Sequence, residues 1–390
     1  MENFIFQSPT KFILEEEAVQ LVGQETANVS KNVLLIHYGD DFIRSSGLRD
    51  IVVDSLKKAG VQYEELTGIT PNPSIEKVYD GVQICKEKNI GCLLALGGGS
   101  VIDTAKAIAI GAMYDGDAWD FFTGAAQVEK ALPIGVVMTL SATGSEGSNG
   151  SVISKGTEKR DVMSDLIRPN FVIMSPELTQ NTPMKQTVCG IADMFSHVTE
   201  RYFSSSVNTE FTDRLCEGVM KSIIVNAKIL LKDPSNYDAR ADLMWTSIIA
   251  HNGLLGTGRN QDWATHMIGA PLSGEYDAVH GETISVLLPV WALEVYDANI
   301  KRFAQFANRV FGIDYDFYDE HERHTAIEGI VALRGFFNQL GLPSTLKEIG
   351  ITTDEKFEKM AKEACRYGSV GGLKVLYQSD VENIYRKALH

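Results

Sequence analysis

The stretch Gly91-Cys92-Leu93-Leu94-Ala95-Leu96-Gly97-Gly98-Gly99-Ser100-Val101-Ile102-Asp103-Thr104-Ala105-Lys106-Ala107-Ile108-Ala109 decides how the chain is read. Its first part is nearly all apolar, as a strand buried on both faces is. Its last part reads as a helix, and three glycines and a serine join the two. Glycines at a strand-to-helix turn let the backbone approach a phosphate closely, while exposed amides and the helix dipole favour the negative charge. Gly97, Gly98, Gly99 and Ser100 are therefore a candidate nucleotide cradle. The turn is neither the spaced Gly-x-Gly-x-x-Gly fingerprint nor a Walker loop, since no Gly-Lys-Ser/Thr follows. A glycine turn that only packs helix on strand is the alternative.

The same alternation runs outward on both sides. Val33-Leu34-Leu35-Ile36-His37-Tyr38 is a strand broken by Gly39-Asp40, and residues 46 to 59 carry apolar side chains at helical spacing. Gln62 to Leu66 is a strand, Pro71-Asn72-Pro73-Ser74 a turn, and 74 to 88 a helix capped by Ser74. Ile134 to Thr139 and Phe171 to Met174 are further strands. Strands alternating with helices predict an α/β fold with a parallel sheet and helices on both faces. After Thr182-Pro183 the character changes to long helical periodicities, for example 208 to 231 and 238 to 255. The expected division is an α/β domain over 1–183 and an all-α domain over 184–390, with a cleft between them.

The chain has 390 residues, 44% of them hydrophobic and 22% charged, so it folds rather than staying disordered. Lys plus Arg is 36 against Asp plus Glu 51, a net charge of −15, and no basic stripe forms. Nucleic acid and anionic membranes are thus poor partners. No apolar run approaches the roughly 20 residues needed to span a bilayer. The N-terminus lacks the basic and apolar pattern of a secretory signal, so a cytoplasmic location is expected. The five cysteines are scattered without a Cys-x-x-Cys pair and read as reduced, buried small hydrophobes.

Two further constellations carry chemistry. Thr139-Leu140-Ser141-Ala142-Thr143-Gly144-Ser145-Glu146 follows another strand and is rich in hydroxyls and backbone donors, a second turn able to cover a cofactor or simply a polar loop. Asp193 and His197 stand four apart in a helical stretch, which aims both side chains the same way. His266 and His280 follow in the helical half, and the chain has only eight histidines. One carboxylate and three imidazoles suit a mononuclear site for a divalent metal such as Zn or Fe(II), against the plain reading of each histidine as a satisfied core or surface residue.

Taken together, the Gly97-to-Asp103 turn, Thr139 to Glu146, Asp193-x-x-x-His197 and His266…His280 occur in one family order. The sequence resembles the iron-containing (group III) alcohol dehydrogenases, most closely their butanol dehydrogenase and broad aldehyde reductase branch. Pro71-Asn72-Pro73, Gly190-Ile191-Ala192-Asp193, Gln261-Asp262-Trp263-Ala264-Thr265-His266 and Phe336-Phe337-x-x-Leu340-Gly341-Leu342-Pro343 support it, and the match spans nearly the whole chain. The resemblance implies a metal held by Asp193, His197, His266 and His280. It also implies reversible hydride transfer between a primary alcohol or aldehyde and a nicotinamide cofactor. The cofactor positions it implies are Gly39, Asp40, Asn72, Gly97, Gly98, Gly99, Ser100, Asp103, Thr139, Leu140, Thr143, Ser145 and Lys159. A homodimer is implied as well, with Asn3-Phe4-Ile5-Phe6 as an edge strand pairing either across the dimer or within one subunit.

Asp40, just past the first strand, suits the ribose hydroxyls of NAD(H), and with Asp41 it repels a 2′-phosphate. NADP(H) stays possible through Arg44. Ala270 stands where many family members place another histidine, four residues after His266. A lyase of the dehydroquinate synthase type, sharing metal and NAD, is one rival reading, although its extra basic residues are not evident. A catalytically weakened protein that binds NAD and metal is another.

Overall fold

The computed structural model describes residues 1–39, 43, 46–315 and 319–390. Asp40, Asp41 and Arg44, on which the cofactor preference was read, lie outside them. Two compact units form. One comprises Gln7–Thr182 with Ser235–Ile248, the other Met1–Phe6, Pro183–Pro234 and Ile249–His390. A single division at 183/184 therefore misses two exchanges: a piece of helix completes the α/β unit, and the first six residues belong to the helical one. Sequence periodicity cannot see this, because it reports which face of an element is apolar and not what covers it.

The α/β unit is built on a six-stranded sheet in the order β1 (Lys11–Leu14), β8 (Phe171–Met174), β5 (Ile134–Met138), β4 (Cys92–Gly97), β2 (Asn32–His37) and β3 (Gln62–Leu66). Every pair in it is parallel. Side chains alternate between two cores. Leu34, Ile36, Leu93, Ala95, Val136 and Val172 face a cluster with Val78, Val101, Ala105 and Ile108. Val33, Leu35, Leu94, Leu96, Val137 and Ile173 face a second with Val22, Val52 and Leu56. The helices that supply these residues are α1 (Val22–Val29) and α2 (Leu48–Lys58) on one side, α3 (Ile75–Lys88) and α4 (Gly99–Gly111) on the other. Burial on both faces explains the continuous apolar runs. A short helix α5 (Trp119–Thr123) and an antiparallel hairpin, β6 (Gly150–Lys155) with β7 (Glu158–Met163), complete the unit.

Two expectations fail here. Residues 3–6 form no strand, and Ile5 is 98% exposed; the sheet edge is β1 instead. Pairing of residues 3–6 within the subunit is thereby excluded. Ser74 stands at the N-terminus of α3, but its side chain makes no capping hydrogen bond.

The remaining helices are α6 (Met184–Tyr202), α7 (Glu210–Leu230), α8 (Tyr237–His251), α9 (Ala264–Tyr276), α10 (His280–Val295), α11 (Ile300–Phe311), α12 (Asp319–Gln339), α13 (Phe357–Ala364) and α14 (Gln378–Ala388). All but α8, whose first part belongs to the α/β unit, lie wholly within the helical unit. The helix expected over 238 to 255 stops at His251, because Gly253 turns left-handed at φ 98° before a separate 3-10 turn at Leu254–Gly256. Among the described residues, no helix is long and apolar enough to cross a membrane. All five cysteines are free and buried.

Candidate functional site

In the helical unit, four predicted ligands meet. Asp193 and His197 share one face of α6, His266 lies in the first turn of α9, and His280 opens α10. The Nε2 atoms of His197, His266 and His280 stand 3.5, 3.5 and 3.2 Å from Asp193 Oδ1. Ligand atoms of Asp193, His266 and His280 all lie within 4.8 Å of one another. The His197 and His266 rings stack 4.8 Å apart at 16°.

Close helix approach makes this convergence possible. A Cβ on Gly281 would stand 2.5 Å from the carbonyl oxygen of Cys189, so only glycine lets the start of α10 lie against α6 one turn before Asp193. At the other side, the buried carboxylate of Asp262 accepts from the amides of Ala264, Gly372 and Leu373 at 2.8–2.9 Å and pins the start of α9. Trp263 between them adopts a left-handed φ of 63°, with the Arg201 guanidinium 4.5 Å over its ring.

The electrostatics suit a cation. Burial opposes ionisation of Asp193, yet His197 and His280 hold its carboxyl well below the usual range. Burial pushes the His197 and His251 imidazoles well below their ordinary value, toward the neutral form a ligating imidazole takes. Among the described residues, Asp193 Oδ1 and His266 Nε2 are buried and find no hydrogen-bond partner. A divalent ion fits this set: one hard oxygen and several imidazole nitrogens aimed at one point.

Glu200 is the residue sequence reasoning missed. Fully buried one turn beyond His197, it accepts from the His266 amide at 3.1 Å and pairs with His266 Nδ1. Burial disfavours the charged ring, but Glu200 and Asp193 together outweigh it and lift His266 to about 9. With one proton held on Nδ1 by Glu200, a metal that displaces the proton of Nε2 would find that nitrogen already aimed at the Asp193 side of the site. The signal was in the sequence, because residues 193, 197 and 200 share the i, i+4, i+7 face of one helix.

In the α/β unit, the glycine turn sits where the strand order reverses. β2 lies between β3 and β4, so the carboxyl ends of β2 and β4 flank the switch point where ligands of open α/β sheets bind. Gly97 closes β4, and Gly98 precedes α4, whose first amides at Gly99 and Ser100 have no acceptor within the helix. A Cβ on Gly99 would stand 2.6 Å from the Thr143 methyl, and one on Gly98 3.4 Å from Leu140. The Thr139 amide donates to Gly97 O at 3.3 Å. Gly97 to Ser100, Thr139, Leu140 and Thr143 are thus assembled together. Gly39 follows β2 with φ 77°, and Lys159 on β7 donates to Asn72 Oδ1 at 3.0 Å. Asp103 and Ser145 are joined directly, Ser145 Oγ donating to Asp103 Oδ1 at 2.6 Å.

Residues 9–176 match the family model for iron-containing alcohol dehydrogenase, and residues 187–389 that for the C-terminal part of the Fe-containing alcohol dehydrogenase family. The chain belongs to the iron-containing alcohol dehydrogenase family. It is similar over its full length, at 42% identity, to a probable NADH-dependent butanol dehydrogenase of Bacillus subtilis, all of whose length is covered. It is 36% identical over 90% of each chain to the NADPH-dependent aldehyde reductase YqhD of Escherichia coli. The crystal structure of an NADH-dependent butanol dehydrogenase from Thermotoga maritima matches with a TM-score of 0.95 at 36% identity, covering 100% of this chain and 99% of that one. As a member of the iron-containing alcohol dehydrogenases the chain is an oxidoreductase acting on the CH–OH group. Nothing in its residues or relatives favours the lyase reading.

Proposed function

We propose that the protein reversibly transfers a hydride between NAD(H) and a short primary alcohol or its aldehyde of butanol-like size, with Fe(II) or Zn held by Asp193, His197, His266 and His280. The observation that carries this is the convergence of three Nε2 atoms on one buried carboxylate oxygen at 3.2–3.5 Å. A divalent ion there supplies the Lewis acidity that stabilises negative charge on the substrate oxygen. The chain's own residues supply position. Glu200 holds His266 in the tautomer that presents Nε2, and Gly97 to Ser100 offer backbone amides to the cofactor diphosphate. NAD(H) over NADP(H) rests on the paired charges of Asp40 and Asp41 in the sequence, and the NADH-dependent relative at 42% identity supports it.

The assembly we infer is a homodimer, for which the exposed Phe4 and Ile5 are available. The five free thiols suit the cytoplasm. Protein loaded separately with Fe(II) and Zn should consume NADH on addition of butanal. Failure of a range of aldehydes to drive oxidation of either NADH or NADPH, with both metals, refutes the reading.

A further inference from the structure

Trp263 stands where glycine would be the easy choice. Its φ of 63° puts the residue just before α9 in the left-handed region, which bulky side chains rarely enter. Strain of this kind persists only where the surroundings over-determine it, and it gathers at active sites and ligand clamps. The indole is tied at its nitrogen, Nε1 donating to Gln261 Oε1 at 3.0 Å. The loop that carries it is stitched to the end of α6. The Asp262 amide donates to Glu200 O at 2.8 Å, and Arg259 Nη1 donates to Arg201 O at 3.1 Å.

Three imidazoles border the indole. The rings of His266, His251 and His197 lie 5.3, 5.6 and 6.0 Å from it, at interplanar angles of 72°, 74° and 56°. These are the separations and the edge-on or tilted attitudes that aromatic pairs prefer. A cation covers the indole as well. Arg201, one turn after His197 on α6, lies 4.5 Å over the ring, and its Nη1 donates to His197 O at 2.7 Å. Arg201 is buried, and among the described residues no carboxylate forms a salt bridge with it. Burying a guanidinium in this way is costly, and burial draws it down to about 10. What receives its charge is the His197 carbonyl and the face of Trp263.

Resting on the metal reading given above, we infer that Trp263 is a positioning residue for the metal site, with Arg201 as its clamp. The indole packs at once against two ligand rings from different helices, His197 of α6 and His266 of α9, and so fixes the attitude in which they stand 4.8 Å apart at 16°. Trp263 offers the ion nothing itself, since an indole nitrogen is a hydrogen-bond donor only. Its contribution is order. A ligand ring held in place beforehand binds without an ordering cost at the moment of binding, and residues that orient ligands govern affinity from one layer out.

The test uses the full chain as Trp263→Leu, Trp263→Phe and Arg201→Met, each loaded with Zn or Co(II). The measurements are metal Kd by chelator competition, the visible absorption of the Co(II)-loaded protein, NADH Kd and Tm. Trp263→Leu should raise metal Kd about tenfold or more and alter the Co(II) spectrum, which reports ligand geometry, while NADH Kd stays within about twofold of wild type. Trp263→Phe keeps a ring against both imidazoles and should hold metal Kd within about threefold. Arg201→Met keeps a stem of similar length, removes the cation over the indole, and should raise metal Kd about threefold with a spectral change of the same kind. A metal Kd within about twofold of wild type and an unaltered Co(II) spectrum in Trp263→Leu and Arg201→Met, whatever their Tm, overturn the inference. An equal rise in Trp263→Leu and Trp263→Phe overturns it too, because filled volume and not the ring would then be what matters. If Trp263→Leu does not fold, Arg201→Met decides. A wild type that binds neither Zn nor Co(II) would instead remove the metal reading itself.

Discussion

His266 Nδ1 is paired with the buried carboxylate of Glu200, and the opposite nitrogen of the same ring faces Asp193 Oδ1 at 3.5 Å. A ligand whose far side is fixed in this way binds metal in one tautomer and one orientation. Glu200→Gln keeps the shape and removes the charge. Its metal Kd, measured by chelator competition, should rise by about 10–100-fold. An unchanged Kd would mean that the ring is oriented by its packing alone.

His266→Ala and His280→Ala each remove one imidazole from the four residues proposed to hold the metal. Both should lose stoichiometric metal by elemental analysis and lose turnover, while NADH titration of the α/β unit stays near wild type. Full metal occupancy with normal turnover in both variants would place the site elsewhere.

Buried Glu146 gives a stability test. Burial pushes its carboxyl up to about 7 from an ordinary 4.5, outweighing hydrogen bonds from its own amide and from Ser247 Oγ at 3.2 Å and the charge of Lys106. Between those values the folded state keeps a proton that the unfolded state releases, so rising pH weakens folding across this window and no further above it. Glu146→Gln has no such group. Its Tm should gain on wild type by roughly 3–6 °C between pH 5 and 7.5, then run parallel. Parallel curves throughout would show that the carboxyl ionises as freely in the fold as out of it.

Ala270 lies one turn beyond His266 on α9, half-buried, and carries no proton. Wild-type enzyme should therefore favour aldehyde reduction over alcohol oxidation near neutral pH, since oxidation must also expel a proton. Ala270→His should raise the oxidation rate and add a titration near about 6.5 to its pH profile. A variant whose KM changes with substrate size, on an unaltered pH profile, would show that the alanine only enlarges the pocket.

What the sequence discloses depends on how local the cause is. Ile134–Met138 and Phe171–Met174 fall where apolar runs beside turn residues place them. The Gly97–Ser100 turn is equally legible, because a backbone that must approach a ligand needs glycine whatever lies around it. β1 is four residues long and exists through its partner Phe171–Met174, about 160 residues away, so no local pattern marks it. The hairpin Gly150–Met163 carries Lys155, Glu158, Lys159, Arg160 and Asp161, and no apolar run marks its strands. Phe4-Ile5-Phe6 has a strand-like composition, but no strand among the described residues of its own chain lies beside it. Asp193, His197, His266 and His280 were findable as a set, yet Glu200 needed the helix face to be followed one turn further. The same holds for Lys106, whose place in an apolar helix looks like an intrusion until its five oxygen neighbours are seen.

The exchange of segments between the two units also bears on how the chain is made. A ribosome delivers Gln7 to Thr182 first, but the α/β unit also contains Ser235–Ile248, which emerge about fifty residues later. At ordinary synthesis rates that is a delay of roughly 3–10 s. Through that interval the apolar surfaces that Met244 and Ile248 later cover are open to water and to other chains. Met1 to Phe6 wait longer still, since the unit they join is finished only with the last helix. The nascent chain thus has a stretch of exposure in its history that the finished molecule does not display, and holdase chaperones would find their substrate there.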